Sequence, residues 1–447
     1  MIVRWTLVGA AVLFSVWLYY PGYISYDAID QLTQAREGVF RDWHPPLMAY
    51  LWGGLDRIVP GPGLMLVWQN MMFWSGLGLL AARLRGWRGI VLLIGVGLMP
   101  PILASVGTIW KDSALASASL LATGLLSWGD AHKRAGVSSL ALVPLFYAMA
   151  LRHNAAPAVV PFFLWWGWQV AHRWAQEPRR RGVWAVGVGA GGMVVMLVAV
   201  TFINARLTSY PTYPFQQIWA HDVVAVSLAR GEVLLPPELN DPPFTIEQLQ
   251  AIYTPESVVP LFCCSPEPRR IEQVRYLSRG YKVDALFAQW RMVIPQNFSA
   301  YVAHRGAALA AMVGWERETV CLPMESRVEP NALGVTFHPP PLNRWLTEQV
   351  YIPLQDSLWF RAWVYWGLNT LLVVGIVLFK CLRQPPMMAL VFSGALYMLP
   401  YFIATTQCDL RFSWWMIVAT VTAGGLYLMG GFTDNSTDSQ AERNQDE

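Results

Sequence analysis

The chain has 447 residues, of which 55% are hydrophobic and only 14% are charged, and it contains 23 tryptophans and 17 methionines. Soluble proteins average about 25% charged residues, and a soluble fold of this length could not bury so much apolar surface, which excludes a soluble multidomain protein. The formal net charge of +3 gives no indication of nucleic-acid binding. We therefore predict an all-α polytopic membrane protein.

Ten apolar runs approach the length of about 20 residues that a membrane-spanning helix needs. Ten spans would place both chain termini on the same side of the membrane. In chain order, the predicted spans cover residues 3–20, 64–82, 89–106, 113–128, 137–151, 155–171, 183–203, 358–379, 387–405 and 412–431.

The distribution of positive charge predicts the orientation, because Lys and Arg are enriched in cytoplasmic connections. If the N-terminus is cytoplasmic, the inner connections hold twelve Lys or Arg residues. The outer connections, apart from the long segment 204–357, then hold six. Both termini are therefore predicted to be cytoplasmic.

This topology divides the chain into four regions. Residues 1–203 carry helices 1–7 and the first outer loop, 21–62, with the acidic residues discussed below. The Pro-rich segment 204–357 is predicted to be a mainly helical extracytoplasmic domain between helices 7 and 8. Residues 358–431 carry helices 8–10, and 432–447 form a polar, disordered cytoplasmic tail.

Two features of the outer segment affect its predicted structure. The stretch 283–313 is half apolar but carries charged residues, so we expect amphipathic helices at the membrane interface and not a span. Cys263 or Cys264 could pair with Cys321 in an oxidising compartment. Cys408 is expected to be a lone thiol near the membrane surface.

Polar and ionisable residues concentrate at the outer ends of the predicted helices. Ionisable side chains close to the hydrocarbon core are costly and indicate a functional site by default. The predicted topology brings five such groups to one membrane face, and together they predict a site there. The groups cover residues 26–30, 42–46, 108–112, 152–154 and 409–411.

The first group supplies two candidate catalytic carboxylates. If 25–36 is a short helix, Asp27 and Asp30 lie on one face of it. Two carboxylates so close cannot both ionise freely, so the pKa of one would rise and the pair could hold and pass a proton. The alternative is that Asp27 simply occupies a helix N-terminus, where the dipole favours a negative charge.

The second group is Asp42-Trp43-His44-Pro45-Pro46, which is predicted to open the next helix. Prolines are tolerated in a first helical turn, so a polar helix start explains them, but it explains His44 less well. His44 can bind a phosphate, help to place a metal ion or act as a general acid. Asp42 and His44 alone are too few ligands for a metal site.

Lys111, Arg152 and Arg411 are cations at the outer helix ends. Each alone is typical of a side chain that extends to the interface, and local pairing of Lys111 with Asp112 or of Arg411 with Asp409 would neutralise two of them. Around one cavity, the three would suit an anionic group such as phosphate. The predicted substrate-binding residues are Asp42, Asp112, Asn154, Gln216, Gln217 and Asp409. For the two glutamines, packing is the alternative role.

The order of these motifs resembles the membrane-embedded GT-C superfamily of glycosyltransferases, and most closely its bacterial, largely uncharacterised members. The superfamily includes protein O-mannosyltransferases and the lipid A aminoarabinose transferase. A first span is followed by an acidic outer loop, a Pro-Pro-Leu turn and an aromatic-rich helix. The motifs that carry the resemblance over most of residues 1–411 are His-Pro-Pro at 44–46, Trp-Lys-Asp at 110–112, Arg-x-Asn at 152–154, Gln-Gln-Ile at 216–218 and Asp-Leu-Arg at 409–411.

The resemblance implies roles for individual residues. In the superfamily an Asp of the first outer loop is the general base, which corresponds here to Asp27, with Asp30 as the second candidate. Several relatives have adjacent acidic residues, whereas two residues separate these two. His44 stands where many relatives have a Lys before the Pro-Pro, and is expected with Lys111, Arg152 and Arg411 at the donor phosphate.

The reaction implied is transfer of a sugar from a polyprenyl-phosphate donor to an acceptor hydroxyl, with inversion at C1. The acceptor would be a glycan, a lipid or a protein. The expected location is the bacterial inner membrane, with the site on the periplasmic side. No metal ligand set is assigned, and a divalent metal ion is left open as a cofactor.

Other classes stay open at this stage. A transporter or flippase for lipids or polysaccharides should carry charged groups deep within its spans and towards both sides, whereas here they crowd one face. A non-catalytic envelope assembly protein would tolerate replacement of Asp27. Among enzymes, a membrane acyltransferase or a polymerase of lipid-linked glycans is the nearer alternative. An acyltransferase would need a nucleophile next to a histidine, for which no convincing pattern is present.

Overall fold

The computed structural model describes residues 2–174, 178–264, 269–275, 279–315, 322–379 and 383–431. Within these residues every regular element is a helix, and extended segments meet only in isolated β-bridges. The all-α prediction is therefore confirmed for the described part of the chain. The predicted tail, 432–447, lies outside it.

The described residues of the N-terminal half form eleven helices. Several of them begin with or follow a proline, which lacks an amide hydrogen and favours a first helical turn. They are α1 (Ile2–Tyr19), α2 (Tyr26–Glu37), α3 (Leu47–Ile58), α4 (Gly63–Arg83), α5 (Arg88–Gly97), α6 (Pro100–Val106), α7 (Lys111–Ala131), α8 (Ala135–Leu140), α9 (Leu142–Leu151), α10 (Ala156–Trp174) and α11 (Pro178–Leu207).

The second half begins with short helices and ends with longer apolar ones. A five-residue π-helical turn, Thr347–Tyr351, joins two short helices. The α-helices are α12 (Gln216–Arg230), α13 (Ile246–Ile252), α14 (Val259–Phe262), α15 (Gly280–Gln296), α16 (Phe298–Val313), α17 (Pro341–Leu346), α18 (Ile352–Leu354), α19 (Ala362–Leu378), α20 (Pro385–Met398), α21 (Tyr401–Ala404) and α22 (Trp414–Leu428).

All ten predicted spans coincide with helical segments, but fewer of them meet the length and hydropathy of a span. Among the described residues, four do so: Ile2–Tyr19, Gly63–Arg83, Arg180–Leu207 and Pro385–Ala404. A fifth is obtained if α5 and α6, which are bent by 70° at their junction, count as one. The chain therefore has several helices that could cross a membrane, and the count of ten and the orientation stay predictions.

Helix α7 lies at the centre of the helical packing. Its contact with α4 is made by glycines: a Cβ on Gly76 would lie 2.5 Å from backbone atoms of Leu120 and Leu121, and one on Gly124 would lie 2.7 Å from the Gly76 carbonyl oxygen. The two backbones therefore touch directly. Most side chains of α7 are buried, so its first residues, Lys111 and Asp112, begin inside the protein.

The outer segment has a hydrophobic core of its own. Buried side chains of α12, α13, α14 and α15 form a cluster separate from the main core, and it includes Val223, Leu249, Leu261 and Leu286. The predicted helical stretch 283–313 forms two helices, α15 and α16, that meet at Asn297, and neither is among the four apolar helices above.

The cysteines differ from the sequence-based expectation. Cys263 and Cys264 are free thiols, so neither is paired with Cys321, which lies outside the described residues. Cys408, expected to be a lone thiol, is disulfide-bonded. Spacing along the chain could not decide this, because a disulfide requires two sulfurs about 2.05 Å apart in space.

Candidate active site

The short helix predicted around Asp27 is present as α2. It begins at Tyr26, with Asp27 in its first turn, where the helix dipole favours a negative charge. Ser25 precedes it in an extended conformation, and its hydroxyl accepts a hydrogen bond from the Trp110 indole N–H at 2.9 Å. This contact ties the start of α2 to the residue that precedes α7.

Asp27 lies between two basic side chains. One carboxylate oxygen accepts a 2.7 Å hydrogen bond from Arg411, and the other lies 3.5 Å from His44 Nε2. Burial alone would raise the pKa of Asp27, but the charge of Arg411, the contact with His44 and the charge of Lys111 outweigh it and hold this pKa well below its ordinary value. The carboxylate is therefore ionised at neutral pH, and 31% of the side chain is still exposed.

Asp30 has different partners from Asp27. Its carboxylate accepts hydrogen bonds from Arg41 at 2.5 Å and from Gln34 at 2.6 Å. Although the two aspartates share a helix at the predicted spacing, each is neutralised by its own arginine. The shared proton that the spacing suggested is therefore not supported by this arrangement.

His44 connects Asp27 to Lys111. Its Nδ1 contacts the Lys111 ammonium, and its Nε2 faces Asp27. The imidazole is buried, and burial and the Lys111 charge lower the pKa of His44 more than Asp27 raises it. Asp27, His44 and Lys111 thus form a continuous chain of contacts, in which a neutral imidazole accepts a hydrogen bond from an ammonium.

Arg152 forms an ion pair with the buried Asp112. It also donates to the Asn154 side-chain oxygen at 3.1 Å, and its guanidinium lies 5.0 Å from the centre of the Phe412 ring. Asp112 therefore pairs with Arg152 and not with Lys111, the local pair that the sequence offered as an alternative. The other local pair is present, with Arg411 Nε 2.8 Å from Asp409.

These side chains surround one cavity with a volume of about 730 Å³. Eight of the twelve predicted site residues line it, so all five sequence groups contribute a lining residue from segments far apart in the chain. The eight are Asp27, Asp30, His44, Lys111, Arg152, Asn154, Gln217 and Arg411.

The other four predicted residues lie behind the cavity wall. Asp112 and Asp409 contact the lining arginines as described. Asp42 accepts hydrogen bonds from the backbone N–H and hydroxyl of Thr212, at 2.5 and 2.7 Å. Gln216 donates to the Thr212 and Val274 carbonyls at 2.7 and 2.8 Å. Asp42 and Gln216 therefore hold the wall in place through protein contacts.

Several lining residues had not been predicted. Arg41 directly precedes the Asp-Trp-His-Pro-Pro motif, so its position beside that motif could have indicated it. Arg275, Gln273 and the aromatic lining residues come from segments without a local polar motif. The unpredicted aromatic residues of the wall are Tyr26, Trp43, Phe215, Phe262, Tyr401 and Phe412.

The residues of the cavity do not form a recognisable metal site. Across the described ranges, no group of three or more His, Cys, Asp or Glu side chains is placed to hold a metal ion. Asp27 and Asp30, the two lining carboxylates, are each already paired with an arginine. No mechanism is therefore derived through a metal ion.

Comparison with protein-family models, with curated proteins and with solved structures gives no match to this chain. The resemblance to the GT-C superfamily therefore stays a prediction based on the motifs given above.

Proposed function

We propose that the chain is a membrane glycosyltransferase that moves a sugar from a polyprenyl-phosphate donor to an acceptor hydroxyl on the extracytoplasmic face. The observation that supports this most directly is the position of Asp27, an ionised and partly exposed carboxylate that faces the cavity among Arg411, His44 and Lys111. One cavity thus offers a base for the acceptor hydroxyl and cations for a phosphate leaving group.

The proposed reaction is a single inverting displacement. Asp27 takes the proton of the acceptor hydroxyl as the acceptor oxygen forms a bond with C1 of the sugar. The bond between C1 and the phosphate oxygen breaks, and polyprenyl phosphate leaves with the bonding electrons. Lys111, Arg152 and Arg411 stabilise the negative charge that develops on the leaving phosphate. Such electrostatic stabilisation of the transition state is usually the largest single contribution to the rate of an enzyme.

The contact between Asp27 and Arg411 links donor binding to basicity. A carboxylate with a strongly lowered pKa is ionised but is a weak base. A donor phosphate that draws the guanidinium of Arg411 towards itself weakens the 2.7 Å contact with Asp27, which raises the pKa of Asp27 towards its ordinary value. Loss of this contact, taken by itself, makes Asp27 a stronger base.

The apolar part of the cavity wall supports a lipid-linked donor. Ile403 lies near the end of the apolar helical segment Pro385–Ala404, lines the cavity and is 62% exposed. Phe215, at the start of α12, also lines the cavity and has an exposed ring. A hydrocarbon chain next to these residues would leave its phosphate close to the cations.

The cavity offers weaker support for an acyltransferase. Cys263 is a free thiol that lines the cavity, and it is the obvious nucleophile for such a reaction. However, burial and the neighbouring thiol of Cys264 raise the pKa of Cys263 to about 11. A thiol that stays protonated at neutral pH is a poor nucleophile, since the thiolate is the reactive form.

The proposal is tested by incubating purified protein in detergent with a panel of polyprenyl-phosphate sugars, with water in place of the acceptor hydroxyl, and measuring the release of free polyprenyl phosphate. We expect release by the wild type and a loss of at least about 100-fold in Asp27→Asn, in line with removal of a general base. Asp30→Asn is the matched control, since it changes the other carboxylate on the same helix, and should retain most of the activity.

Each other outcome has a defined meaning. Equal release by wild type and Asp27→Asn, with greatly reduced release by Asp30→Asn, would transfer the role of base to Asp30. Binding of the donor panel without release from any member, together with its movement across vesicles that contain the protein, would favour the transporter over the glycosyltransferase.

A further inference from the structure

The charged side chains in and directly behind the cavity wall balance each other. Lys111 contacts His44, which faces Asp27. Arg411 pairs with Asp27 and Asp409, and Arg152 pairs with Asp112. We call these seven residues the central cluster.

With His44 neutral and Lys111 charged, the central cluster has three positive and three negative charges. Burial lowers the pKa of Lys111 to about 7 against the attraction of Asp27, so proton uptake by Lys111 is the alternative to uptake by His44. The neighbouring pair of Arg41 and Asp30 is also neutral. Arg275, the remaining cation on the cavity wall, is exposed to solvent, where its charge is screened. The buried part of the site is therefore already compensated before any ligand binds.

This balance makes the binding of an anion costly on its own. A phosphodiester would add one negative charge to a cluster in which each arginine already faces a carboxylate. An uncompensated charge is expensive in a partly buried site, and such sites usually respond by changing protonation. The cheapest compensation is the uptake of one proton from solvent by a group within the cluster.

His44 is the group placed to accept this proton. From α2 it faces Asp27, whose carboxylate is 3.5 Å from Nε2, and Asp30 lies farther along the same helix. From α7 it faces Lys111 at Nδ1, and His153, between α9 and α10, is the other imidazole of the cavity. Asp27 itself must stay ionised if it is to act as the base.

The contact between His44 and Lys111 explains how the proton and the anion become coupled. In the ligand-free site the ammonium donates to the unprotonated Nδ1. A protonated imidazole has two N–H donors and no acceptor, so it cannot keep this contact and repels Lys111. An anion that draws Lys111 away therefore favours protonation of His44, and protonation of His44 in turn releases Lys111 to the anion.

We infer that this site binds a phosphate anion together with one proton and that His44 holds that proton. The inference rests on the proposed function, because it assumes that the cavity receives the phosphate of the donor. It assigns to His44 a protonated state in the complex, with Nε2–H directed at Asp27 and Lys111 moved to the phosphate.

The test uses dihexyl phosphate as the probe, because a dialkyl phosphodiester is a monoanion across the whole working pH range. Isothermal titration calorimetry of the full-length protein in detergent at pH 7.5, in buffers with different ionisation enthalpies, measures the protons taken up per ligand bound. We expect close to one proton for the wild type. The dissociation constant should rise about tenfold per pH unit above the pKa of free His44, until the complex also loses its proton.

Two variants locate the proton. His44→Gln should bind the probe with proton uptake near zero and with little dependence of affinity on pH. His153→Gln, which changes the other histidine of the cavity wall, should retain the uptake of the wild type. The wild-type measurement itself needs no variant, so a folding defect in His44→Gln does not remove the test.

The remaining outcomes separate this inference from the proposed function. Binding of the probe to the wild type without proton uptake overturns the coupling but leaves the phosphate site intact. Uptake that persists in His44→Gln, or that is lost in His153→Gln, overturns the assignment to His44. Failure of the wild type to bind the probe between pH 5 and 9 contradicts both the coupling and a phosphate-bearing donor.

Discussion

Arg411 is the residue on which most of the candidate site depends. Its guanidinium is buried and contacts two carboxylates, Asp27 at 2.7 Å and Asp409 at 2.8 Å, from different nitrogens. It also lies 5.2 Å from the centre of the Trp110 ring. Only a planar guanidinium can make two such contacts in fixed directions, which a lysine ammonium cannot reproduce. The residue therefore positions the base and is available to the phosphate.

We predict that Arg411→Lys lowers the rate of polyprenyl phosphate release by about 10²- to 10³-fold, the range typical for loss of a group that stabilises charge in a transition state. The matched control is Arg41→Lys, since Arg41 pairs with Asp30 on the same helix and is more exposed. Its effect should be below about tenfold. Initial rates at saturating donor measure both, and equal losses in the two variants would contradict the role given to Arg411.

For individual residues, the sequence predicted which side chains line the cavity better than it predicted which partners they contact. Most of the predicted ionisable residues line the cavity, because charged side chains in an apolar chain are conspicuous. The partners could not be predicted in the same way. Pairing of Asp112 with Lys111 was one alternative, but Asp112 pairs with Arg152, 40 residues away. Sequence spacing is informative only for residues about one helical turn apart.

At the scale of elements, a buried network connects α12 and α16 to the cavity wall. Asp222 on α12 accepts hydrogen bonds from Arg305 and from the Trp290 indole, each at 2.8 Å. Arg305 on α16 then donates to the Thr405 carbonyl at 2.7 Å. The next residue, Thr406, lines the cavity. The outer segment therefore holds the part of the chain that follows α21 and precedes Arg411.

We predict that Asp222→Ala destabilises the protein by about 3–5 kcal/mol, because Arg305 would keep its charge in a buried position without its carboxylate. Both side chains are at most 5% exposed. The control is Glu272→Ala, which removes the acidic partner of Arg279 and Lys282 near the surface and should cost below about 1 kcal/mol. Unfolding in detergent by heat or denaturant measures the difference, and similar losses in both variants would contradict the prediction.

The positions of the helices were largely predictable, and their interruptions were less so. All ten apolar runs coincide with helical segments, since hydrophobic periodicity and length are strong signals. The run 89–106 was expected as one span, but the chain bends by 70° between α5 and α6. Pro100 and Pro101 start the second helix, and proline cannot continue the hydrogen bonding of the first. This break was visible in the sequence as a Pro-Pro pair.

At the scale of the whole molecule, apolar composition does not say whether lipid or protein covers a helix. In the apolar stretch of Gly63–Arg83, 72% of the residues are buried inside the protein, against 17% in that of Arg180–Leu207. Helix α7 is almost wholly enclosed and contains several serines, so its hydropathy falls short of that of a span although it is long enough. The predicted number of spans depends on whether each apolar helix is covered by lipid or by protein, and the sequence alone does not distinguish the two.

The orientation of the whole chain can be tested with its own thiols. Cys263 and Cys264 are free and belong to the segment predicted to be extracytoplasmic. Cys264 is exposed, whereas the pKa of Cys263 is raised to about 11 by burial and by the neighbouring thiol of Cys264, so labelling should occur mainly at Cys264. A membrane-impermeant maleimide should therefore label the wild type in intact spheroplasts, and Cys264→Ser should lose most of this label.

The matched control places a thiol on the predicted cytoplasmic side. His132 is exposed just after α7, in a connection whose positive charges predict that it faces the cytoplasm. His132→Cys, combined with Cys263→Ser, Cys264→Ser and Cys381→Ser so that no other thiol of the predicted cytoplasmic connections reacts, should be labelled only after the membrane is permeabilised. Labelling of the His132→Cys variant in intact spheroplasts, with labelling of the wild type at Cys264 only after permeabilisation, would show that the orientation is the reverse of the predicted one. It would also place the cavity, which Cys263 lines, on the cytoplasmic side, where nucleotide-linked sugars are available and a lipid-linked donor is not required.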